Sequence, residues 1–249
     1  MDIYYAVIIF IFGAVIGSFL NVCIYRIPRG ESTAYPPSHC TNCGNKIKWY
    51  DLIPIISYFV LKGKCRYCGE KISIRYPLIE FITALLYLML YIKIGIGIDF
   101  IKYITFMSIL IVVGMIDFDT TDVYFKTTAA GVVFALIFMA VYWNMGFEIR
   151  NFIFGGILSG IFFTIIIFIT KGGMGWGDME ICVFCGLFLG FKLTLVMMFL
   201  SFVLGAAVGM ILILSGKKSR KDYIPFGPFI SLASIITVFL GGTILNLYL

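Results

Sequence analysis

Polar residues are sparse along this chain, and their positions mark off a series of long apolar runs. The first, Ile3 to Ile24, holds no charged residue. Further runs cover Leu78–Ile98, Phe100–Ile116, Thr127–Trp143, Phe152–Ile169, Leu193–Ser215 and Tyr223–Leu249. A hydrocarbon core about 30 Å thick takes about 20 apolar residues in a helix, so each run predicts a spanning helix. A further run, Met179–Phe191, is shorter, and its length leaves a full span and a re-entrant segment both open. No basic segment precedes the first run and no A-x-A site follows it, which predicts a retained span rather than a signal peptide. No repeat of 20–50 residues is visible. The predicted fold is an all-α polytopic membrane protein of about eight transmembrane helices. Its one sizeable polar stretch divides the chain into a first helix (1–25), a loop domain (26–77) and a seven-helix membrane body (78–249).

Composition agrees with this pattern. The 249 residues are 61% hydrophobic and only 13% charged, where a soluble domain carries about a quarter charged residues. Too few charges remain to coat a water-facing surface. The 25 Phe and 15 Tyr exclude a disordered chain. Charge placement then orients the spans, because Lys and Arg collect on the cytoplasmic side. Eight spans with both termini outside put inside the nine Lys and Arg between Arg26 and Arg75, with Lys126, Lys171, Lys217, Lys218, Arg220 and Lys221. That is 15 of the 19, leaving Lys93, Lys102, Arg150 and Lys192 outside. With a re-entrant short run the division falls to 12 against seven, so eight spans with a cytoplasmic loop is the expectation. The bilayer is the expected partner of such a surface, and no nucleic-acid partner is expected.

The loop carries Cys40-x-x-Cys43 and Cys65-x-x-Cys68, each pair followed by a glycine, Gly44 or Gly69. Two such turns can set four thiolates tetrahedrally around one zinc ion. The other readings are two disulfides or four free thiols, and a reducing cytoplasmic side weighs against disulfides. A four-cysteine site is closed, so the metal is expected to hold the loop's fold rather than do chemistry. His39, the one histidine, is expected at the surface. Cys182-x-x-Cys185 sits within an apolar run, where cysteine acts as a small hydrophobe, and Cys23 is read in the same way.

Acidic residues at span ends are costly unless a partner or a function retains them. One group, Asp117, Asp119 and Asp122, closes the third span. Another, Asp178 and Glu180, opens the short sixth run behind glycines at 172, 173, 175 and 177. In the eight-span topology both groups lie on the cytoplasmic side. Two carboxylates facing each other cannot both ionise cheaply, and such a pair can activate a water while protonating a departing amine. Residue types alone leave equally open an N-cap at Asp178 and solvated loop acids at the other group. No Ser-Lys pair, HExxH sequence or nearby histidine offers another hydrolytic chemistry.

On these residues the chain resembles the type IV prepilin peptidases, the GxGD-type intramembrane aspartyl proteases. The likeness runs over nearly the whole chain, in the family's order. It comprises Gly17-Ser18-Phe19-Leu20-Asn21-Val22 with Tyr25-Arg26-x-Pro28, and the two cysteine pairs around W-Y-D-L-I-P and I-S-x-R-Y-P-L-I-E. It continues with Ile116-Asp117, Gly175-x-Gly177-Asp178 and Pro225-Phe226-Gly227-Pro228. The resemblance implies cleavage of a basic leader from type IV prepilins and pseudopilins at the cytoplasmic face of the bacterial inner membrane. In many members it also implies methylation of the new N-terminus from S-adenosylmethionine. Carried over by position, the catalytic pair is Asp117 and Asp178. Val123-Tyr124 stands where the family has L/I-P, which keeps Asp119 and Asp122 as rivals to Asp117, and Glu180 stands where a lysine is usual. No Gly-rich fingerprint marks a methyl-donor site. Glu80 is a candidate for amine or donor binding, against a snorkelling or Arg75-paired carboxylate. A GxGD protease without methyltransferase activity is the second reading. A zinc-stapled transporter or scaffold is the third, which internal repeats or midplane acids would favour.

Overall fold

The computed structural model describes residues 2–171, 173–219 and 222–248. Gly172 of the glycine stretch and Arg220 and Lys221 of the basic cluster lie outside the described residues. The helices are α1 (Ile3–Arg26), α2 (Ile56–Val60), α3 (Arg75–Ile94), α4 (Ile98–Thr120), α5 (Phe125–Asn144), α6 (Arg150–Ile169), α7 (Trp176–Leu189), α8 (Phe191–Leu214) and α9 (Gly227–Tyr248), with short 3-10 turns at Ile27–Arg29 and Trp49–Leu52. Among the described residues there is no strand, only isolated bridges between His39 and Lys46 and between Lys64 and Lys71.

Seven helices among the described residues, all but α2 and α7, are long and apolar enough to cross a membrane. The protein is therefore an all-α multi-pass membrane protein. The short sixth run corresponds to α7, whose 14 residues extend about 21 Å at about 1.5 Å per residue. The chain forms two compact units, Met1–Ile104 and Thr105–Leu249.

In the first unit α1 and α3 pack backbone to backbone. Gly13 and Gly17, four residues apart, face α3 so closely that a Cβ on either would lie 2.7 Å from the Cα of Ala84 or Glu80. Small residues at this spacing let helices approach where lipid offers no hydrophobic drive for association. The Asn21 side-chain amide ties the ends of the pair together, donating to the Tyr76 carbonyl at 3.1 Å. Just beyond, the buried guanidinium of Arg26 donates to the carbonyls of Ser32 at 2.9 Å and Pro36 at 2.7 Å. It thereby folds the chain back under the end of α1.

The second unit is built around α7. Ile181, Cys182, Phe184 and Cys185 are fully buried, as expected for the two cysteines. Gly186 of α7 meets Gly155 of α6 with no room for a side chain on either. Phe184 covers Gly131 of α5, and Phe188 stacks on Phe106 with ring centroids 4.7 Å apart. An apolar helix short of membrane thickness is thus wrapped by longer ones.

The Gly13–Gly17 contact predicts a steep steric cost. Gly17→Leu forces α1 from α3, and we expect a loss of about 1–3 kcal/mol or more, the usual range for overpacking. Thermal or denaturant unfolding in detergent measures it, with Val15→Leu, on an exposed face of α1, as the near-neutral control.

Candidate active site

Two carboxylates are buried within the second unit. Asp117, three residues before the end of α4, is 2% exposed, and Asp178, the third residue of α7, is 4% exposed. Asp119 and Asp122 are exposed. Position explains the difference, since the helix carries Asp119 about 200° round from Asp117 and Asp122 follows a left-handed turn at Thr121 (φ 58°). Asp117 and Asp178 come close enough for the charge of one to act on the other.

Each of the pair is held by a backbone amide. The Gly227 N–H, first of α9, donates to Asp117 Oδ2 at 2.8 Å. A Cβ on Gly227 would lie 2.5 Å from that same oxygen, so only glycine lets the carboxylate reach the amide. The Gly175 backbone, at the N-cap of α7, bonds the Asp178 carboxylate. Both contacts use the unspent N–H groups at a helix start, where the dipole favours negative charge. The N-terminal turn of α7 is wedged against the Val123 side chain by Gly177. Val123-Tyr124 thus braces the second aspartate, with Tyr124 extended at the N-cap of α5. Glu180 is drawn aside, accepting from the Thr128 hydroxyl at 2.7 Å. The half-exposed Tyr223, just before α9, has its phenol pushed up by burial and further by the charges of Asp178, Asp117 and Asp122. It therefore stands beside the acidic group.

The four loop cysteines converge in the first unit. Their sulfurs lie within 4.8 Å of one another, and those of Cys40 and Cys68 are 3.8 Å apart. Four thiolates bonded to one zinc at about 2.3 Å sit about 3.8 Å from each other, so the donor set suits that ion. Gly44 and Gly69 take φ of 70° and 72°, which turns backbone amides toward sulfur. The amides of Cys68 and Tyr67 push the Cys65 thiol down to about 7, and that of Asn45 lowers Cys43. His39 is exposed, with Nδ1 3.1 Å from the Pro37 carbonyl oxygen, and is not part of the group. Arg66, between the second pair of cysteines, forks onto Asp51 at 2.6 and 2.8 Å and holds its carboxyl below the usual range.

Glu80, on the second turn of α3, is 8% exposed and accepts the Ile55 N–H at 2.7 Å, with a further bond from the Ser18 side chain. It borders a cavity of 420 Å³ whose walls include Ser18, Asn21, Arg26, Asp51 and Tyr58.

Residue types pointed to the aspartates, the cysteines and Glu80, but not to Gly227 as the donor to Asp117, nor to Asp51 and Arg66 as a clamp. A glycine caught between prolines at a helix start was the available sign of the first. The W-Y-D-L and C-R-Y-C segments give no local sign of the second.

Known proteins match this arrangement along almost its full length. The model of the Bacterial Peptidase A24 N-terminal domain matches residues 11–94, and that of the Type IV leader peptidase family matches residues 104–210. The chain is 33% identical to a prepilin leader peptidase/N-methyltransferase of Bacillus subtilis (strain 168), covering 97% of each. It is 30% identical to one of Aeromonas salmonicida (strain A449), over 98% of this chain and 94% of that one. With one of Pseudomonas putida it shares 27% identity over 97% and 92%. No solved structure matches. The chain belongs to the type IV leader peptidase family.

Proposed function

We propose that this protein cleaves the basic leader from type IV prepilins or pseudopilins and methylates the new N-terminus. The observation that carries the proteolytic half is the buried pair Asp117 and Asp178, each bonded by a helix-start amide. In this reading the two share one proton. The ionised carboxylate removes a proton from water as its oxygen attacks the scissile carbonyl carbon. The protonated carboxyl then gives its proton to the departing nitrogen. The Gly227 amide fixes the direction in which Asp117 faces, and the exposed Asp119 and Asp122 suit an approaching basic leader. Charge placement along the sequence favours the cytoplasmic face for this site and the outer side for both termini.

We assign one structural zinc to Cys40, Cys43, Cys65 and Cys68, on the sulfur spacing and the amides turned toward it. For methylation, the 420 Å³ cavity lies in the usual size range for small-ligand sites, and its Glu80 carboxylate suits a cationic ligand. S-adenosylmethionine, when bound there, supplies an activated methyl group. Glu80 would hold positive charge at the wall while Tyr58 offers an aromatic surface.

Incubation of purified protein with a prepilin peptide, read by mass spectrometry, tests the proteolytic reading. Asp117→Asn and Asp178→Asn should each slow cleavage about 10²–10⁴-fold, the usual worth of a general acid or base, while Gly227→Ala loses less. Full activity in Asp178→Asn would remove the aspartyl mechanism. Activity in Asp117→Asn but not in Asp119→Asn would move the first aspartate.

Metal analysis should find one zinc per chain in the wild type and none in Cys43→Ser. Metal-free, active wild-type protein with four titratable loop thiols counts against the assignment.

Calorimetry with S-adenosylhomocysteine should register binding that Glu80→Gln weakens about tenfold, about 1.4 kcal/mol, with zinc content unchanged. Equal affinity in the two proteins would place the donor elsewhere.

A further inference from the structure

The segment between the two cysteine pairs has two unlike sides. Inward, Asp51, Ser57 and Tyr58 line the cavity and the Ile55 N–H is bonded to Glu80. Outward, Trp49, Ile53, Ile56, Phe59 and Val60 are all exposed, from 40% for Ile53 to 79% for Trp49. They recur at intervals of three and four residues, the spacing of one face of a helix, although only Trp49–Leu52 and Ile56–Val60 are helically wound. Single exposed apolar residues are ordinary, but five within one short segment mark a surface that something covers.

Two observations say what covers it. The first is depth. Glu80 is the sixth residue of α3, about 7.5 Å along its axis from Arg75, in a helix long and apolar enough to cross a membrane. Leu78, Phe81 and Ile82 beside it are exposed apolar residues on that helix. The 2.7 Å bond from Ile55 to Glu80 therefore ties the segment at the level of the second turn of a spanning helix, where lipid headgroups give way to acyl chains. The second is charge. Lys48, Lys62 and Lys64 flank the apolar residues and are exposed, while Asp51 is taken up by Arg66. An apolar surface with a lysine rim suits lipid with anionic headgroups. A second copy of the chain would bring two basic rims together, and a basic leader would meet the same repulsion.

We propose that Trp49–Val60 is seated in the interfacial layer of the bilayer, so that the cysteine loop rests on the membrane instead of standing free in water. Lipid is the partner of its outer side, with Trp49 at the headgroup level that tryptophan favours.

The test is the fluorescence of Trp49 in a Trp143→Phe/Trp176→Phe protein, reconstituted in vesicles of phosphatidylethanolamine and phosphatidylglycerol. Expected are blue-shifted emission, weak quenching by aqueous iodide, and a stronger loss of emission with bromines near the carbonyl end of the lipid chains than near the methyl end. Free access to iodide without bromolipid quenching overturns the proposal. So does shielding that fades as protein is diluted into lipid, which signals a second copy, and so does shielding that appears only with a prepilin peptide. Unsubstituted protein supplies a second reading, by photolabelling with a lipid-soluble diazirine. Peptides covering residues 49–60 should be labelled along with the outer side of α3, and labelling of α3 alone overturns the proposal.

Discussion

A carboxylate buried in a membrane protein needs a donor from the protein itself, because lipid supplies none. Three of the buried acids here find theirs in the same kind of place. Asp117 takes the amide of Gly227 at the start of α9, Asp178 that of Gly175 at the N-cap of α7, and Glu80 that of Ile55 at the N-cap of α2. Helix starts carry N–H groups with no partner in their own helix. Each acid therefore relieves a second unsatisfied group as it is itself relieved. This exchange fixes which helix beginnings must lie beside which acids, and much of the remaining packing serves it.

Close approach is the means. Gly227 leaves open the volume that an Asp117 oxygen fills, and Gly177 lets α7 press on Val123, which sets the height of Asp178. Gly17 brings the backbone of α3 against α1 at Glu80 itself, so Ser18 can reach the same carboxylate that Ile55 holds. Bulk at any of these positions would separate a donor from its acid before it disturbed the apolar core. Fold and site are in this respect one problem, since the small residues near the acids set the contacts between acid and amide as well as the packing.

Most of the helices could be read directly from apolar runs, since a run of about 20 such residues has few alternatives in a chain with so few charges. The cysteine group was equally legible, because C-x-x-C-G states both the ligands and the turn. Asp178 and Glu80 stood out as acids in apolar surroundings. What the sequence could not express was pairing between distant segments. Asp117 and Gly227 are 110 residues apart, and nothing local to either names the other. Asp117, Asp119 and Asp122 are alike as residue types, and only the helical turn and the left-handed step at Thr121 bury the first and expose the others. The clamp of Arg66 on Asp51 was hidden for the same reason. Val123 in the place of the family's Leu or Ile makes sense once Gly177 is seen against its side chain.

The first unit also has a bearing on the order in which the chain matures. The four sulfurs, the Asp51–Arg66 fork, the Ile55–Glu80 bond and the α1–α3 contact all involve residues before Gly95. Nothing in that set waits for α4 to α9. As the polypeptide emerges from the ribosome, the four loop sulfurs can gather and the loop can dock onto α1 and α3 while the second unit is still unmade. The Asp117–Gly227 contact, by contrast, cannot form until α9 begins. The bond that orients Asp117 is thus the last of these contacts to become available as the chain is made.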